Sequence, residues 1–499
     1  MKRTKLIVIV FVLAVIMSIP AVALAHAYEP DVPTRTEDGV VFVPLRLTAY
    51  AHGAAVEWDG ENRLVIITSV QGNVWTVAVE AVGGFIEYGT SWIPYEYAVS
   101  MFGADTIDET VVEEESNVED IIATITNAIG NTRSFVAERS EILSITSTDG
   151  YVFQSRLTMP DGDGEVAAIV IDAGTSGPNT FLMTRYTPGI GQWNYFDFWA
   201  NEFVNNGVAF LSSNTRGVTP NSNPPGFLQI DEAGYLTYLP SNVVEDVYHM
   251  IRTVQSNPRL ANAQIFLLGM SEGAVIASLF EETHPGMADA LFMIGTPMTN
   301  MYDVVRWQGS GENVMMVLRT LFETDEYGRI TQEAFYAGPW ETYMGAPFQA
   351  LDLNQDGFFT AEDLRMVWAL QGLPSHMYNP DIMLDAIRRG DDEWIRVNYP
   401  VLLTSKWFLE HFDLRSNMEL LPELDLPIYI FHGTLDMSVY VGYVVELYEL
   451  LNEIGRSNIT INIFPGHDHD LDWNLPAFHG EMSDGIRAVL DAVLARIRG

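Results

Sequence analysis

Residues 265–282, IFLLGMSEGAVIASLFEE, join two different secondary-structure patterns. The stretch begins with an apolar run that is typical of a buried strand and continues into a segment rich in helix formers. Between the two lies the GxSxG sequence Gly269-Met270-Ser271-Glu272-Gly273. A nucleophile elbow is a sharp turn from strand to helix with small residues two positions before and after the serine. The sequence therefore predicts that Ser271 is an exposed nucleophile at such a turn.

Strand and helix patterns alternate on both sides of this stretch. Apolar runs predict strands in EVAAIVIDAG (165–174), VAFLSSNTRG (208–217), IYIFHGTLD (428–436) and ITINIFPGHDHD (459–470), with helical patterns between several of them. Near-continuous apolar strands separated by helices indicate an α/β fold, a mostly parallel sheet with helices on both faces. Residues 310–410 break this rhythm with many Met, Trp and Tyr residues, and we expect a helical lid insertion there.

A serine nucleophile needs a base, and the base needs a carboxylate that orients it. After Ser271, the strand pattern of IYIFH ends in a turn that carries Asp436. Two histidines, His467 and His469, follow the next predicted strand. The order serine, acid, histidine fits an α/β-hydrolase. The residue pattern alone leaves the choice between the two histidines open.

The N-terminal part contains an internal repeat. VFVPLRLTAYAHGA (41–54) and SWIPYEYAVSMFGA (91–104) each predict a short strand that runs into a helix. Alternating apolar and polar residues between them predict strands around a turn at Asp59-Gly60. We expect a small α+β module over residues 28–110, an acidic linker and helix over 111–137, and the α/β domain over 138–499.

The first 27 residues predict export. Lys2, Arg3 and Lys5 precede an apolar run, and small residues follow it at Ala23, Ala25 and Ala27, which is the order of a signal peptide. An uncleaved anchor is the alternative, because the apolar run has nearly the length of a membrane span. Either reading places the protein outside the cell or on its surface. The chain has no cysteine, which excludes disulfides and thiolate metal sites.

The charge excludes one class of partner. Lys and Arg total 26 against 66 Asp and Glu, a formal net charge of −40. Such a surface repels polyanions, so we expect no nucleic-acid partner.

A second motif lies inside the predicted lid. DLNQDGFFTAED, residues 352–363, matches an EF-hand loop except for Asp at its last position. The candidate calcium ligands are the side chains of Asp352, Asn354, Asp356 and Asp363 and the carbonyl of Phe358. Bound Ca²⁺ would be structural and would order the roof of the active site. The alternative is a polar turn that caps the following helix.

Several motifs of residues 138–499 follow one another as in a known superfamily. DGYVFQSRLTMP, VIDAGTSGP, LLGMSEGAVIAS, FHGTLDMSV and FPGHDHDL resemble secreted α/β-hydrolase esterases and prolyl-oligopeptidase-like relatives. In that superfamily the acid lies in a GxxDxxV pattern, which Gly433 to Val439 match, so the resemblance implies Asp436. It likewise implies His469 as the base, with His467 as the alternative.

The oxyanion of the tetrahedral intermediate needs two N–H donors. One is the N–H of the residue after the nucleophile, here Glu272, and the other comes from the loop after the third strand. Members of the superfamily that this chain resembles usually have His-Gly in that loop, but this chain has Gly174-Thr175-Ser176-Gly177-Pro178. Alignment on Ser-Gly-Pro implies Ser176 as the second donor, with Thr175 as the alternative.

The N-terminal segment VPLRLTAYAHGAAVEWDGENRLVIIT, residues 43–68, resembles the copper amine oxidase N-terminal-like domain of exported proteins. The resemblance implies attachment to a cell surface or a spacer role. Copper is not expected, because His52 is the only histidine of the module.

Together these features predict an extracellular serine hydrolase that cleaves carboxylic esters of small molecules or glycans and needs no cofactor for catalysis. Two alternatives remain. One is a peptidase of the prolyl-oligopeptidase type, for which no propeller repeats precede the hydrolase part. The other is a non-catalytic surface-binding protein.

Overall fold

A computed structural model describes strands within residues 35–94 and the chain over 135–498, except residues 175, 183, 188–190, 223–224, 400 and 474–481. The predicted signal peptide and most of the predicted acidic linker and helix lie outside the described residues. The chain divides into two compact units. The larger comprises Ile125–Leu321 and Thr360–Gly499, and the smaller comprises Lys2–Thr124 and Phe322–Phe359.

The described N-terminal strands form two antiparallel sheets. The strands are β1 (Arg35–Glu37), β2 (Val40–Pro44), β3 (Ala55–Asp59), β4 (Leu64–Thr68), β5 (Val74–Val77), β6 (Phe85–Glu87) and β7 (Thr90–Pro94). One sheet has the order β1-β2-β7-β6 and the other has the order β3-β4-β5. The two strands of the sequence repeat pair with each other, with Val43 opposite Ile93. The helices that we predicted after them lie outside the described residues.

The larger unit is built on an 8-stranded sheet. Its strands are β8 (Ser140–Thr146), β9 (Val152–Thr158), β10 (Ala168–Asp172), β11 (Ala209–Ser213), β12 (Gln264–Met270), β13 (Ala290–Ile294), β14 (Ile428–Gly433) and β15 (Ile459–Phe464). Their spatial order is β15-β14-β13-β12-β10-β11-β9-β8. Among these described strands, β9 runs in the direction opposite to the other seven, so its pairs with β8 and β11 are antiparallel and the remaining pairs are parallel.

Helices cover both faces of this sheet. The helices outside the insertion are α1 (Tyr195–Asn205), α2 (Glu232–Tyr235), α3 (Pro240–Ser256), α4 (Glu272–Thr283), α15 (Val441–Ile454) and α16 (Asp484–Arg498), the last two following the insertion described below. Alternate residues of β10 enter two different cores: Ile169 packs with α3 and α4, whereas Val170 packs with α1 and α16. Burial on both faces is the physical reason for the continuous apolar pattern of this strand.

This sheet and its elbow define the α/β-hydrolase fold, because the fifth strand, β12, leads through the GxSxG turn directly into a helix, α4. The fold class that the sequence predicts is thereby confirmed. Two hairpins lie outside the large sheet and pair Thr184–Thr187 with Gly191–Asn194 and Val218–Ser222 with Pro225–Ile230.

A helical insertion separates β13 from β14, as predicted. Its helices are α5 (Met301–Gln308), α6 (Glu312–Leu318), α7 (Gln332–Ala337), α8 (Trp340–Tyr343), α9 (Phe348–Leu351), α10 (Ala361–Leu370), α11 (Pro380–Arg389), α12 (Asp392–Asn398), α13 (Ser405–Asp413) and α14 (Asn417–Leu420). The insertion is wider than the predicted residues 310–410. The helix α5, which precedes residue 310, belongs to the insertion because its Val304 and Val305 share a hydrophobic core with Ile387 of α11.

The insertion contacts the loop that follows β14. The Gln308 amide donates to the Ser438 carbonyl at 3.2 Å, and the Asn313 amide donates to the Met437 carbonyl at 3.4 Å. These bonds tie the start of the insertion to the loop that carries Asp436. Across the part of the chain that the structure describes, no helix combines the length and the apolar character that a bilayer crossing requires.

Candidate active site

Ser271 occupies a strained position between β12 and α4. Its backbone has φ 55° and ψ −116°, a region that residues with a side chain seldom adopt. Its N–H donates to the carbonyl of Ile294 at the end of β13, at 2.9 Å, which holds the turn against the neighbouring strand. Strain of this kind is maintained by the surrounding structure and is typical of catalytic turns.

The two glycines of the elbow are required by close backbone approaches. A Cβ at Gly269 would lie 2.2 Å from the Gly273 carbonyl oxygen, and a Cβ at Gly273 would lie 1.9 Å from the Gly174 carbonyl oxygen. The sequence predicted that small residues were needed here for a tight turn. The structure adds that Gly273 also makes room for the loop after β10.

Asp436 and His469 form a hydrogen-bonded pair. Nδ1 of His469 lies 2.7 Å from Oδ2 of Asp436, and the side chain of Asp436 is fully buried. Oδ1 of Asp436 accepts the N–H groups of Ser438 and Val439, both at 2.8 Å. Burial would raise the pKa of this carboxyl, but the charge and hydrogen bond of His469 outweigh burial and lower it. Asp436 is therefore an anion that fixes the orientation of the imidazole.

The imidazole of His469 lies beside the elbow. Its ring packs on Gly295, where an added Cβ would be 2.7 Å from Nδ1. Gly295 follows Ile294, whose carbonyl accepts the Ser271 N–H. Among the described residues, no hydrogen bond joins the Ser271 hydroxyl to His469. Because Asp436 occupies Nδ1, Nε2 is the ring atom that can take the serine proton, and such bonds often tighten only when substrate binds.

His467, the alternative base, has different neighbours. Its Nδ1 lies 3.4 Å from the Pro465 carbonyl, and its ring lies 5.4 Å from the ring of Phe464. Within the described chain, Asp436 is joined to His469 and not to His467. The geometry therefore favours His469.

A third histidine, for which the sequence predicted no role in the site, also contacts Asp436. His432 is fully buried in β14, and its Nε2 lies 3.3 Å from Oδ2 of Asp436 and 3.2 Å from the Val439 carbonyl. Burial lowers the pKa of His432, which keeps this ring neutral. The only sequence signal was its position four residues before Asp436, at the end of a strand.

Three further carboxylates surround the candidate base. Asp468, Asp470 and Asp472 follow or flank His469, and Oδ1 of Asp468 accepts the N–H groups of Asp470 and Asp472. Burial disfavours a charged imidazole, but Asp436, followed by Asp470 and Asp468, outweighs burial and raises the pKa of His469 to about 9. The free enzyme would then hold this imidazole protonated at neutral pH.

This charge environment predicts an alkaline pH profile. Because only the neutral imidazole can accept the serine proton, kcat/KM should rise with pH through an apparent pKa well above the ordinary histidine value of about 6.5. Asp470→Asn should lower that apparent pKa, since it removes one negative charge but keeps an oxygen for the indole N–H of Trp473. The measurement is kcat/KM from pH 5 to 11.

Asp425→Asn is the matched control, because Asp425 is a highly exposed carboxylate that pairs with Arg456. It should leave the profile unchanged. If kcat/KM of the unmodified protein rose with pH through an apparent pKa at or below the ordinary histidine value, the predicted effect of these carboxylates on His469 would be wrong.

The loop after β10 lies against the elbow, as an oxyanion loop should. The Gly174 carbonyl contacts Gly273, and the Asn179 amide donates to the carbonyls of Ser176 and Gly177, both at 3.1 Å. Glu272 begins α4, so its N–H is unsatisfied within the helix and faces the helix start. Thr175 lies outside the described residues. Ser176 as the second donor therefore stays a prediction.

Carboxylate side chains of the EF-hand-like loop accept hydrogen bonds from backbone N–H groups of the same loop. The two carboxylate oxygens of Asp352 accept the N–H groups of Asp356 and Gly357, each at 3.1 Å, and Asp356 accepts that of Phe358 at 2.9 Å. Separately, Asp363 forms a capping box with Thr360 at the start of α10. Among the described residues, no cluster of three or more His, Cys, Asp or Glu side chains is arranged to hold a metal ion. Calcium binding through these residues and Asn354 stays a prediction.

Calorimetry tests that prediction directly. Titration of chelator-stripped protein with CaCl₂ should give one binding event in the submillimolar to millimolar range, as weaker EF-hand-like sites do. Asp352→Ala combined with Asp356→Ala should abolish the heat signal. Addition of EDTA should then have no effect on ester turnover by this double variant. Absence of any heat up to millimolar calcium would identify the segment as a polar turn only.

Comparison with known families supports the N-terminal resemblance. The model of the family described as copper amine oxidase N-terminal domain matches residues 23–81. This confirms the similarity that the sequence of the module predicts. No curated protein sequence matches the chain significantly.

Solved structures resemble the chain at low identity. Est1E from Butyrivibrio proteoclasticus is 13% identical over 72% of this chain and 99% of that chain, with a TM-score of 0.38. A highly thermostable carboxyl esterase from Bacillus coagulans in complex with glycerol is 16% identical over 72% and 98%, with a TM-score of 0.40. Acylaminoacyl peptidase from Pyrococcus horikoshii is 11% identical over 72% of this chain, which spans 40% of the peptidase, with a TM-score of 0.37. The fold assignment rests on the strand order and the elbow described above.

Proposed function

We propose that the chain is a serine hydrolase that cleaves carboxylic esters through an acyl-enzyme intermediate. One observation carries the proposal: a serine in a strained strand-to-helix turn lies beside a histidine that a buried carboxylate orients. This is the arrangement that converts a weak hydroxyl into a nucleophile.

The reaction follows from the roles of these atoms. Oγ of Ser271 attacks the ester carbonyl while Nε2 of His469 takes its proton, and Asp436 stabilises the resulting imidazolium. The N–H of Glu272 and a donor from the Gly174–Gly177 loop, which we assign to Ser176, bind the oxyanion. His469 then returns the proton to the leaving alcohol. Water repeats the sequence on the acyl-enzyme, releases the acid and regenerates Ser271. These steps need no cofactor.

The side chain of Glu272 supports an ester over an N-terminal amine as the recognised group. Its carboxylate is buried and accepts hydrogen bonds from Tyr238, Trp407 and His411. A carboxylate whose oxygens are occupied in this way is not available to bind a substrate ammonium group, as an aminopeptidase would require. This argues against aminoacyl substrates, and the substrates that we propose are esters of small molecules or glycans.

A substrate panel tests the proposal. We expect turnover of p-nitrophenyl esters, with kcat/KM for the best acyl length in the range of ordinary enzymes, and much slower cleavage of aminoacyl p-nitroanilides. A preference for prolyl or aminoacyl anilides over every ester would identify a peptidase instead. Turnover of neither class, by folded protein at alkaline pH, would favour a surface-binding protein without catalysis.

Export and attachment to the cell surface complete the proposal. The basic, apolar and small-residue order of residues 1–27 and the similarity at residues 23–81 support it. Fractionation of producing cells should place the protein in the wall or the medium, with a mature N-terminus after Ala25 or Ala27. Recovery of full-length protein from the cytosol would contradict export.

A further inference from the structure

The side chain of Glu272 belongs to a buried network that the proposed chemistry does not use. Glu272 is 1% exposed, although it directly follows the nucleophile. Its Oε1 accepts the indole N–H of Trp407 at 2.8 Å and lies 3.0 Å from Nε2 of His411, both on α13 of the insertion. Its Oε2 accepts the hydroxyl of Tyr238 at 2.5 Å. A buried carboxylate is costly unless it is bonded in this way, so the network holds it in one position.

Tyr238 extends this network toward the other half of the oxyanion hole. Its hydroxyl donates to Glu272, and the residue lines the same cavity as Gly174 of the loop after β10. Tyr238 therefore lies next to both segments that carry the oxyanion donors, the first turn of α4 and the loop from Gly174 to Gly177. Tyr238 is buried and is held in the core of the insertion.

Packing between this loop and the first turn of α4 is incomplete. A cavity of about 50 Å³ is lined in part by Gly174, Asn214, Tyr238 and Glu272. A cavity leaves its lining atoms without van der Waals partners on one side. The hydrogen bonds of Glu272 therefore contribute more to holding the first turn of α4 in place beside the loop.

We infer that Glu272 acts through its side chain as a positioning residue for the oxyanion hole, with Tyr238 and α13 of the insertion as its anchors. This inference rests on the proposed function. Oxyanion donors stabilise charge that develops only in the transition state, and small displacements of such donors reduce the rate strongly. The network therefore affects kcat and the binding of transition-state analogues and has little effect on ground-state binding.

Two tyrosines provide a matched pair of variants. Tyr238→Phe removes the hydroxyl that donates to Glu272 and keeps the ring. Tyr235→Phe removes a bond of the same kind, from a buried hydroxyl to the Leu402 carbonyl, in a ring that stacks on Tyr238 at 5.7 Å. Both lose one buried phenol hydroxyl and should lose similar stability, but only the Tyr238 hydroxyl bonds Glu272, the residue after the nucleophile.

Tyr238→Phe should lower kcat for a p-nitrophenyl ester roughly 10- to 100-fold with KM changed by less than about threefold. Affinity for a trifluoromethyl ketone, which forms a tetrahedral adduct with the nucleophile, should fall by the same factor. Tyr235→Phe should keep kcat within about threefold of the unmodified protein. Equal effects of the two substitutions on kcat, or a loss confined to KM, would overturn the inference.

Further variants cover a failure of Tyr238→Phe to fold. Trp407→Phe removes one donor to Glu272 and should lower kcat and inhibitor affinity in parallel, and Glu272→Gln should do the same because an amide cannot accept all three bonds. Unchanged kcat in both would overturn the inference. The rate at which a fluorophosphonate labels Ser271 provides a second readout. If the unmodified protein neither hydrolyses esters nor reacts with the probe, the proposed function fails and the positioning role with it. If it does both and the variants match it, only the positioning role fails.

Discussion

Ser271→Ala should abolish ester turnover and leave the fold intact, with kcat falling by roughly four to six orders of magnitude. Alanine keeps the Cβ at the position with φ 55°, so the backbone strain of the elbow is unchanged. The Oγ that would form the acyl-enzyme is lost, and what remains is attack by water aided by the oxyanion donors. Steady-state kinetics with p-nitrophenyl esters measures the loss, and a thermal melt checks the fold.

Ser278→Ala is the matched control for this substitution. Ser278 lies on α4, the helix that follows Ser271, is buried, and bonds the Asn417 side chain at 2.5 Å. Its loss should lower stability but leave kcat within about threefold of the unmodified protein. If Ser271→Ala retained more than about a tenth of the activity, another residue would have to be the nucleophile.

His469→Ala should be nearly as damaging as Ser271→Ala, because members of a triad act as a unit. Without the imidazole, no group can take the proton of Ser271, and Asp436 is left buried without its 2.7 Å partner. The variant should therefore lose both activity and stability. His467→Ala removes a ring that contacts Phe464 and should lower kcat by less than about tenfold.

The two histidine variants should be compared under the same conditions, at a pH above 9, where the raised pKa of His469 leads us to expect the highest activity of the unmodified protein. Exogenous imidazole should partly restore His469→Ala, since a small base can enter the space that the side chain left. A larger loss in His467→Ala than in His469→Ala would show that the assignment of the base is wrong.

The parts of the fold that sequence predicts well are those set by local patterns. The elbow at Ser271 combines a strand, a helix start and two glycines within a few residues, so its conformation is encoded where it forms. Asp436 likewise lies in the turn that follows the apolar strand β14, and a buried parallel sheet brings such strand ends to one edge.

The parts that sequence could not predict depend on distant partners. Trp407 and His411 reach Glu272 from 135 and 139 residues further along the chain. Nothing in the local pattern of α13 indicates that its buried face meets the residue after the nucleophile. His432 was missed for the same reason, because a histidine at the end of a strand acquires its role only when the following turn folds back on it.

The bounds of the insertion were underestimated for a packing reason. Its composition is most distinctive over residues 310–410, but α5 lies before this range and α14 after it. Val304 and Val305 resemble any apolar helix residues in sequence. Only their shared core with α11 shows that they belong to the insertion.

The identity of the residue that becomes acylated distinguishes the proposed mechanism from any other. After rapid acid quench of the reaction with a p-nitrophenyl ester, or after labelling with a fluorophosphonate, peptide mass spectrometry should find a single adduct. We expect this adduct on Ser271 in the unmodified protein and no adduct in Ser271→Ala. An adduct on any other residue, or hydrolysis of the ester by a protein whose Ser271 is never modified by either reagent, would contradict the proposed mechanism.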